Sequence, residues 1–230
     1  MKSPIWQPSQ DRIQRSNMTA FIKKVADSWG IKIPDTDALH KFSITEPEKF
    51  WPSVIKFAAI RAETWGDQVL VNGDKMPGAI WFPNARLNYA ENMLTLQKGV
   101  SSSSEAIVFK GEGGAERRLN FSQINKQVSV LAQALSAEGI KAGDRVAGYL
   151  PNMPETIIAM LAASSLGAVW SSCSPDFGVQ GVLDRFSQIE PKILFSVDGY
   201  RYNGKFYDSL AKTKKIIAGL PDLRATVIIP

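Results

Sequence analysis

Arg145-Val-Ala-Gly-Tyr-Leu-Pro-Asn-Met-Pro-Glu-Thr-Ile-Ile-Ala-Met-Leu-Ala-Ala-Ser-Ser-Leu-Gly-Ala-Val-Trp-Ser-Ser-Cys173 is the stretch on which the fold turns. Arg145 to Leu150 is short, largely apolar and followed by Pro-Asn, the pattern of a buried strand closed by a turn. Pro154 and Glu155 then open a helix that runs to about Gly167. Proline is tolerated in a first helical turn, and an acidic residue there complements the helix dipole. Ala168 to Cys173 reads as a second strand. Strands joined through a crossover helix pair in parallel.

The same rhythm extends both ways. Downstream, Val179, Val182, Phe186 and Ile189 mark a helix that Pro191 ends, and Ile193–Val197 and Thr226–Ile229 are strands with a weaker helix between them. Upstream, Ile124, Val128, Leu131 and Leu135 form one helical stripe before Gly139. Ala106–Lys110 and Arg117–Phe121 are strands around Gly111-Glu-Gly-Gly114, which reads as a hairpin. This alternation predicts an α/β fold with a mainly parallel sheet and right-handed crossover helices.

The first part of the chain differs. Ser16–Trp29 has apolar residues at helical spacing, with Ser16 to cap it and Gly30 to end it. A second helix is expected from Thr45, where Thr45 and Glu48 have capping-box spacing and Phe50, Trp51, Val54, Ile55 and Ala58 supply the apolar face. Ile33–Ser43 between them reads as polar and irregular. Trp6, Trp29, Trp51, Trp65 and Trp81 are large rings that require burial, which predicts an extension lying against a larger body. Lys98-Gly-Val-Ser-Ser-Ser-Ser104 reads as a solvated loop. The expected domains are therefore a mostly helical extension, 1–97, and an α/β part, 98–230.

Composition bounds the function. The 230 residues are 44% hydrophobic and 21% charged, an ordinary globular balance. No run nears the roughly 18 consecutive apolar residues of a membrane span, and the start lacks a signal-peptide core. A single cysteine, Cys173, makes no internal disulfide, so a cytoplasmic location is expected. The net charge of +5 suits an anionic ligand but is equally common in proteins with none. Nothing in the pattern resembles a nucleic-acid arm or finger, so no nucleic-acid partner is expected.

Several features invite chemistry and fail on inspection. Gly111-Glu-Gly-Gly114 matches neither dinucleotide nor Walker spacing and lies between two strands, so a hairpin tip is the better reading. His40 is the only histidine; no spacing supplies a triad around it, and it reads as a surface residue. One histidine and one cysteine are too few for a zinc site, and no metal site is expected. Cys173 ends a strand expected to be buried, where packing is its natural role.

The order of the motifs says more than any one of them. A strand ending in Pro-Asn, a helix from Pro154 and then Leu166-Gly-Ala-Val-Trp170 is the layout of the adenylate-forming acyl-coenzyme A synthetases, and the chain resembles that family over essentially its whole length. Pro4-Ile-Trp-Gln-Pro-Ser9, Ser16-Asn-Met-Thr-Ala-Phe21 and Trp81-Phe-Pro-Asn-Ala-Arg-Leu-Asn-Tyr-Ala-Glu-Asn92 resemble the acetoacetyl-CoA synthetase branch. The Gly167-Ala-Val block is common to the wider family and discriminates little.

The resemblance implies an ATP-dependent acid–thiol ligase acting on acetoacetate. ATP and Mg2+ would convert the carboxylate to an acyl-adenylate, and coenzyme A would displace AMP. Such chemistry needs backbone amides, a metal and a lysine around phosphorus. In the family these lie in a loop following a strand like Thr226–Ile229 and in later motifs. No catalytic residue is therefore expected within the chain, and the 230 residues alone are expected to be inactive.

What would remain is coenzyme A binding. The family's Val-Arg-x-Gly-Arg stretch corresponds to Gly199-Tyr-Arg201-Tyr-Asn-Gly204-Lys205, which makes Arg201 and Lys205 the expected cations, Gly204 the turn and Tyr200 or Tyr202 a stacking face. The cations are one residue further apart than in the family, and lysine lacks the fork of arginine. The family's Phe-Gly-Gly-Phe loop is Ser174-Pro-Asp-Phe177 here, so only Phe177 carries over. A solvated loop is the competing reading for Arg201 and Lys205. Open alternatives are a ligase for another short-chain acid, a non-catalytic module that binds coenzyme A or a partner, and a dinucleotide-dependent oxidoreductase. The missing glycine fingerprint counts against the last. A sheet with an uncovered edge also predicts self-association.

Overall fold

The computed structural model describes residues 5–230, so Pro4, which opens the Pro4–Ser9 motif, lies outside the described residues. Two units divide between Leu87 and Asn88. The first holds helices α1 (Gln10–Gln14), α2 (Asn17–Trp29), α3 (Thr36–Thr45) and α4 (Pro47–Phe57), and a short antiparallel pair, β1 (Leu70–Val71) with β2 (Ile80–Trp81). Ser16 caps α2 by accepting from the Thr19 amide at 3.1 Å, and Gly30 ends it in the left-handed region at φ 63°.

Ile33–Ser43 is not irregular as expected. From Thr36 onward it is α3, because Asp35 accepts from the Ala38 amide at 2.8 Å and Leu39 and Phe42 supply a buried stripe. The Thr45–Glu48 capping box is likewise not formed. Thr45 is the last residue of α3, its hydroxyl donates to the Lys41 carbonyl at 2.9 Å, and α4 starts at Pro47 without a side-chain cap. Phe21, Val25, Ile33, Leu39 and Phe42 make the core of this unit, with Phe50 edge-on to Phe21 at 5.9 Å. Each fully buried ring or branched chain contributes about 1.5–3 kcal/mol. The tryptophans are not the buried set expected: Trp29, Trp51 and Trp81 each stay more than 40% exposed. They find partners locally instead, Trp29 donating from Nε1 to Ser53 Oγ at 3.0 Å and Trp51 meeting Trp81 edge-on at 5.9 Å.

The second unit begins with α5 (Tyr89–Leu94) and a hairpin, β3 (Glu105–Lys110) with β4 (Glu116–Asn120). Then come α6 (Phe121–Ala137), β5 (Arg145–Tyr149), α7 (Pro154–Ser165), β6 (Val169–Cys173), α8 (Val179–Phe186) and β7 (Ile193–Val197). A second hairpin, β8 (Gly199–Tyr202) with β9 (Lys205–Asp208), precedes α9 (Leu210–Ala218) and β10 (Ala225–Ile229). The four long-range strands form one sheet in the order β10-β7-β5-β6, every neighbour parallel, as the alternation predicted.

Three local differences have physical causes. β4 stops at Asn120 rather than Phe121, because Asn120 and Gln123 exchange two 2.9 Å bonds as a capping box that starts α6. α8 ends at Phe186, before Pro191, and the chain leaves it through a turn in which the Ile189 and Glu190 amides donate to the Phe186 carbonyl and Glu190 is left-handed at φ 48°. β6, expected to be buried, is an outer strand with Val169 half exposed, and only its last residue, Cys173, is buried.

The central strands are apolar nearly throughout because both faces are covered. Val146, Ile193, Phe195 and Val197 pack with residues of α6 and α7; Ala147, Tyr149 and Leu194 pack with Val182, Phe186 and Ile216 of α8 and α9. Gly148 has a role of its own: a β-carbon there would lie 2.6 Å from the Trp170 ring, so glycine is what lets that indole cross the strand.

Candidate functional site: a cleft at the carboxyl ends of the sheet

In the strand order β10-β7-β5-β6, the chain steps from β5 outward to β6, then returns across β5 to β7. In parallel sheets the loops on either side of such a reversal diverge and leave a crevice at the carboxyl ends. A cleft of about 940 Å3 lies there, lined by Pro151–Met153 after β5, Ser174–Asp176 after β6, Asp198–Tyr200 after β7, and Ile229 and Pro230 at the end of β10. The two hairpins complete it, β3–β4 through Gly111, Glu112 and Arg117, and β8–β9 through Arg201, Tyr202 and Phe206.

Its charges are mostly engaged. Arg117 holds Glu155 of α7 with both terminal Nη nitrogens, the Nη2–Oε2 distance being 2.7 Å, and that pairing keeps the Glu155 carboxyl below the usual carboxylate range. Tyr200 donates to Asp176 at 2.9 Å and stacks on Tyr207 at 5.4 Å. Burial, then the bond to Asp176, pushes the Tyr200 phenol up to about 12. Tyr149, fully buried in β5, donates to the carbonyls of Pro175 and Phe177 at 2.8 and 2.9 Å and so ties down the loop after β6. Burial raises the Tyr149 phenol and the Cys173 thiol, which suits packing rather than reactivity for the cysteine.

The residues expected to bind coenzyme A fall in different places. Arg201, in β8, lines the cleft and is exposed. Gly204 sits at the β8–β9 turn with φ 73°, next to Asn203 at φ 50°, and its amide donates to Glu112 at 3.0 Å. Lys205 opens β9 and is exposed, but it is not in the cleft wall. The register pairs Tyr202 with Lys205 and Arg201 with Phe206. Opposed residues of a hairpin share a face, so Arg201 and Lys205 emerge on opposite faces. Phe177 is 41% exposed and carries the Arg185 guanidinium 4.6 Å from its ring centre, also outside the cleft wall. Tyr200, expected as a stacking face for ligand, is already stacked on Tyr207; Tyr202 remains exposed.

Sequence inspection missed the hairpin itself and the part of Glu112. Asn203-Gly204 is a strong two-residue hairpin signal, flanked here by alternating residues, and it could have revealed β8 and β9. No local pattern links Glu112 to Gly204. His40 is exposed as expected, though on α3 rather than in a loop, and Gly111–Gly114 is the expected hairpin tip. Among the described residues no group of three or more His, Cys, Asp or Glu side chains could hold a metal ion, and no helix is long and apolar enough to cross a membrane.

Comparison with known proteins places this geometry. Residues 36–93 match the acetyl-coenzyme A synthetase N-terminus model, and residues 96–229 match the AMP-binding enzyme model. Acetoacetyl-coenzyme A synthetase of Rhizobium meliloti (strain 1021) is 46% identical over 227 residues, covering 99% of this chain and 34% of that protein. Malonamoyl-CoA synthetase of Penicillium aethiopicum is 36% identical over 228 residues, covering 98% of this chain and 31% of that protein. The solved acetoacetyl-CoA synthetase from Streptomyces lividans superposes with a TM-score of 0.93 at 41% identity, covering 100% of this chain and 35% of that one. The chain thus spans about a third of the length of the relatives it matches. With the parallel sheet, its carboxyl-end cleft and a family model matched over 96–229, the chain belongs to the AMP-binding enzymes.

Proposed function

We propose that this chain forms the amino-terminal extension (1–97) and the first α/β part (98–230) of the adenylation domain of an ATP-dependent acid–thiol ligase. That ligase makes acetoacetyl-CoA from acetoacetate, ATP and coenzyme A through an acyl-adenylate. The observation that carries this is the cleft at the carboxyl ends of four parallel strands, in a chain matched nearly end to end by acetoacetyl-CoA synthetases.

Within it, the phosphorylated nucleotide end of coenzyme A is held by Arg201, with Gly204 shaping the turn and Lys205 and Phe177 contributing from outside the cleft wall. Arg201 makes no ion pair among the described residues, so its fork is available to a phosphate. Lys205 can reach only as a flexible point charge from the other face. ATP and magnesium are assigned to no residue of this chain. Two of the carboxylates lining the cleft are already committed, Glu155 to Arg117 and Glu112 to a backbone amide. The single buried thiol supports a reducing, cytoplasmic location.

The test is kinetic, in the complete ligase. Arg201→Ala should raise the coenzyme A KM about tenfold, the equivalent of one lost charge-assisted bond. Lys205→Ala should raise it less, and carboxylate-dependent ATP–pyrophosphate exchange should persist in both. An unchanged KM in Arg201→Ala removes the assignment. The 230-residue chain alone should show no such exchange, and measurable exchange would refute that part. A second acid is supported by the malonamoyl-CoA synthetase relative. Malonamate differs from acetoacetate only by an amino group in place of a methyl, so both acids belong in the substrate comparison.

A further inference from the structure

The tip of the β3–β4 hairpin meets the turn of the β8–β9 hairpin at the mouth of the cleft. Asn203 and Gly204 are both left-handed, at φ 50° and 73°, which is the pattern of a type I′ turn. Amides exposed by such turns form a concavity that accepts an anion. Here Glu112 fills it: Oε2 accepts from the Gly204 amide at 3.0 Å, across 92 residues of sequence. The adjacent Gly113, at φ 82°, leaves room for the Arg201 stem. A β-carbon at Gly113 would lie 3.3 Å from Arg201 Cδ and 3.6 Å from its Nε.

We propose that Glu112 is a positioning residue. By occupying the amides of the Asn203–Gly204 turn it latches one hairpin to the other, and the latch braces Arg201 between Gly113 and the cleft. The Gly111–Gly114 tip thereby serves anion recognition without touching the anion. The backbone amides of Gly204 and Asn203 also hold the Glu112 carboxyl below its usual range, consistent with a carboxylate that stays ionised in the latch. The glycine at 113 is needed for its positive φ and for close approach to the arginine stem. The proposal rests on Arg201 binding coenzyme A, and its test separates the two ideas.

Two measurements on the 230-residue chain decide it. The first is the 15N heteronuclear NOE of the Arg201 side-chain Nε–H, which needs no ligand. Glu112→Ala should bring the NOE down to the value of a free surface arginine. Glu112→Gln, which keeps an acceptor oxygen, should preserve most of it. Equal order in wild type and Glu112→Ala overturns the latch. The second is titration calorimetry with coenzyme A. Glu112→Ala and Gly113→Ala should each weaken binding about fivefold, through lost pre-organisation. Glu112→Ala should add nothing further in an Arg201→Ala background, a non-additivity that general unfolding would not produce. If Arg201→Ala leaves binding unchanged, the binding assignment fails while the NOE still judges the latch. Tighter binding in Glu112→Ala would make the carboxylate a competitor of the ligand and overturn the proposal.

Discussion

Tyr200 shows how one side chain changes meaning between sequence and structure. The motif offers it as a face for ligand, whereas its ring is stacked on Tyr207 and its hydroxyl is given to Asp176. Its phenol is raised above the ordinary tyrosine value to about 12, mainly by burial, so folding favours the neutral form. That contribution is complete below pH 10 and is lost as the pH rises toward 12. The urea midpoint of the wild-type chain should therefore fall between pH 10 and 12 more steeply than that of Tyr200→Phe. Parallel decline in the two would show that this phenol is not held neutral by the fold. Arg201 and Gly204 were named through the family resemblance, and they lie in the cleft wall and at the β8–β9 turn. Glu112 was not, since its partner is a backbone amide 92 positions away.

At the scale of elements, β7 and α9 are joined by a buried polar pair. Ser196 and Thr213 are each at most 2% exposed, and their hydroxyls lie 2.8 Å apart. Removing one partner leaves the other buried without a bond, which costs about 1–3 kcal/mol. Thr213→Val should lower the unfolding free energy by about that amount in urea titration. The double variant Ser196→Ala with Thr213→Val should recover much of it, and a double variant at least as damaged as the sum would argue against the pair. The striped helices α2 and α6, and α7, which is apolar nearly all round and opens at Pro154, were readable within a residue or two. α3 was not, because its stripe consists of little more than Leu39 and Phe42 among polar residues. The β8–β9 hairpin was overlooked because its strands are four residues each and too exposed to show an apolar run.

At the scale of the whole molecule, the sheet ends in two outer strands. β6 leaves Val169 51% exposed and β10 leaves Val227 38% exposed, and each outer strand offers unpaired backbone groups along one side. Such edges are templates for pairing with another chain. The 230-residue chain should therefore elute from gel filtration at a size that grows with concentration. A monomer that persists at high concentration would mean that strand twist alone protects the edges.

Local periodicity and turn chemistry sufficed to determine that strands alternate with helices beyond Ala106 and that the sheet is parallel. Those features depend on neighbours three, four or a few tens of residues apart, a range that a sequence displays. Only the tertiary structure decided the strand order, the crevice it opens, the opposite faces taken by Arg201 and Lys205, and the junction of Glu112 with the Asn203–Gly204 turn. Each of these is a contact between distant segments, chosen by how two apolar faces of one sheet are covered, and no local pattern encodes it.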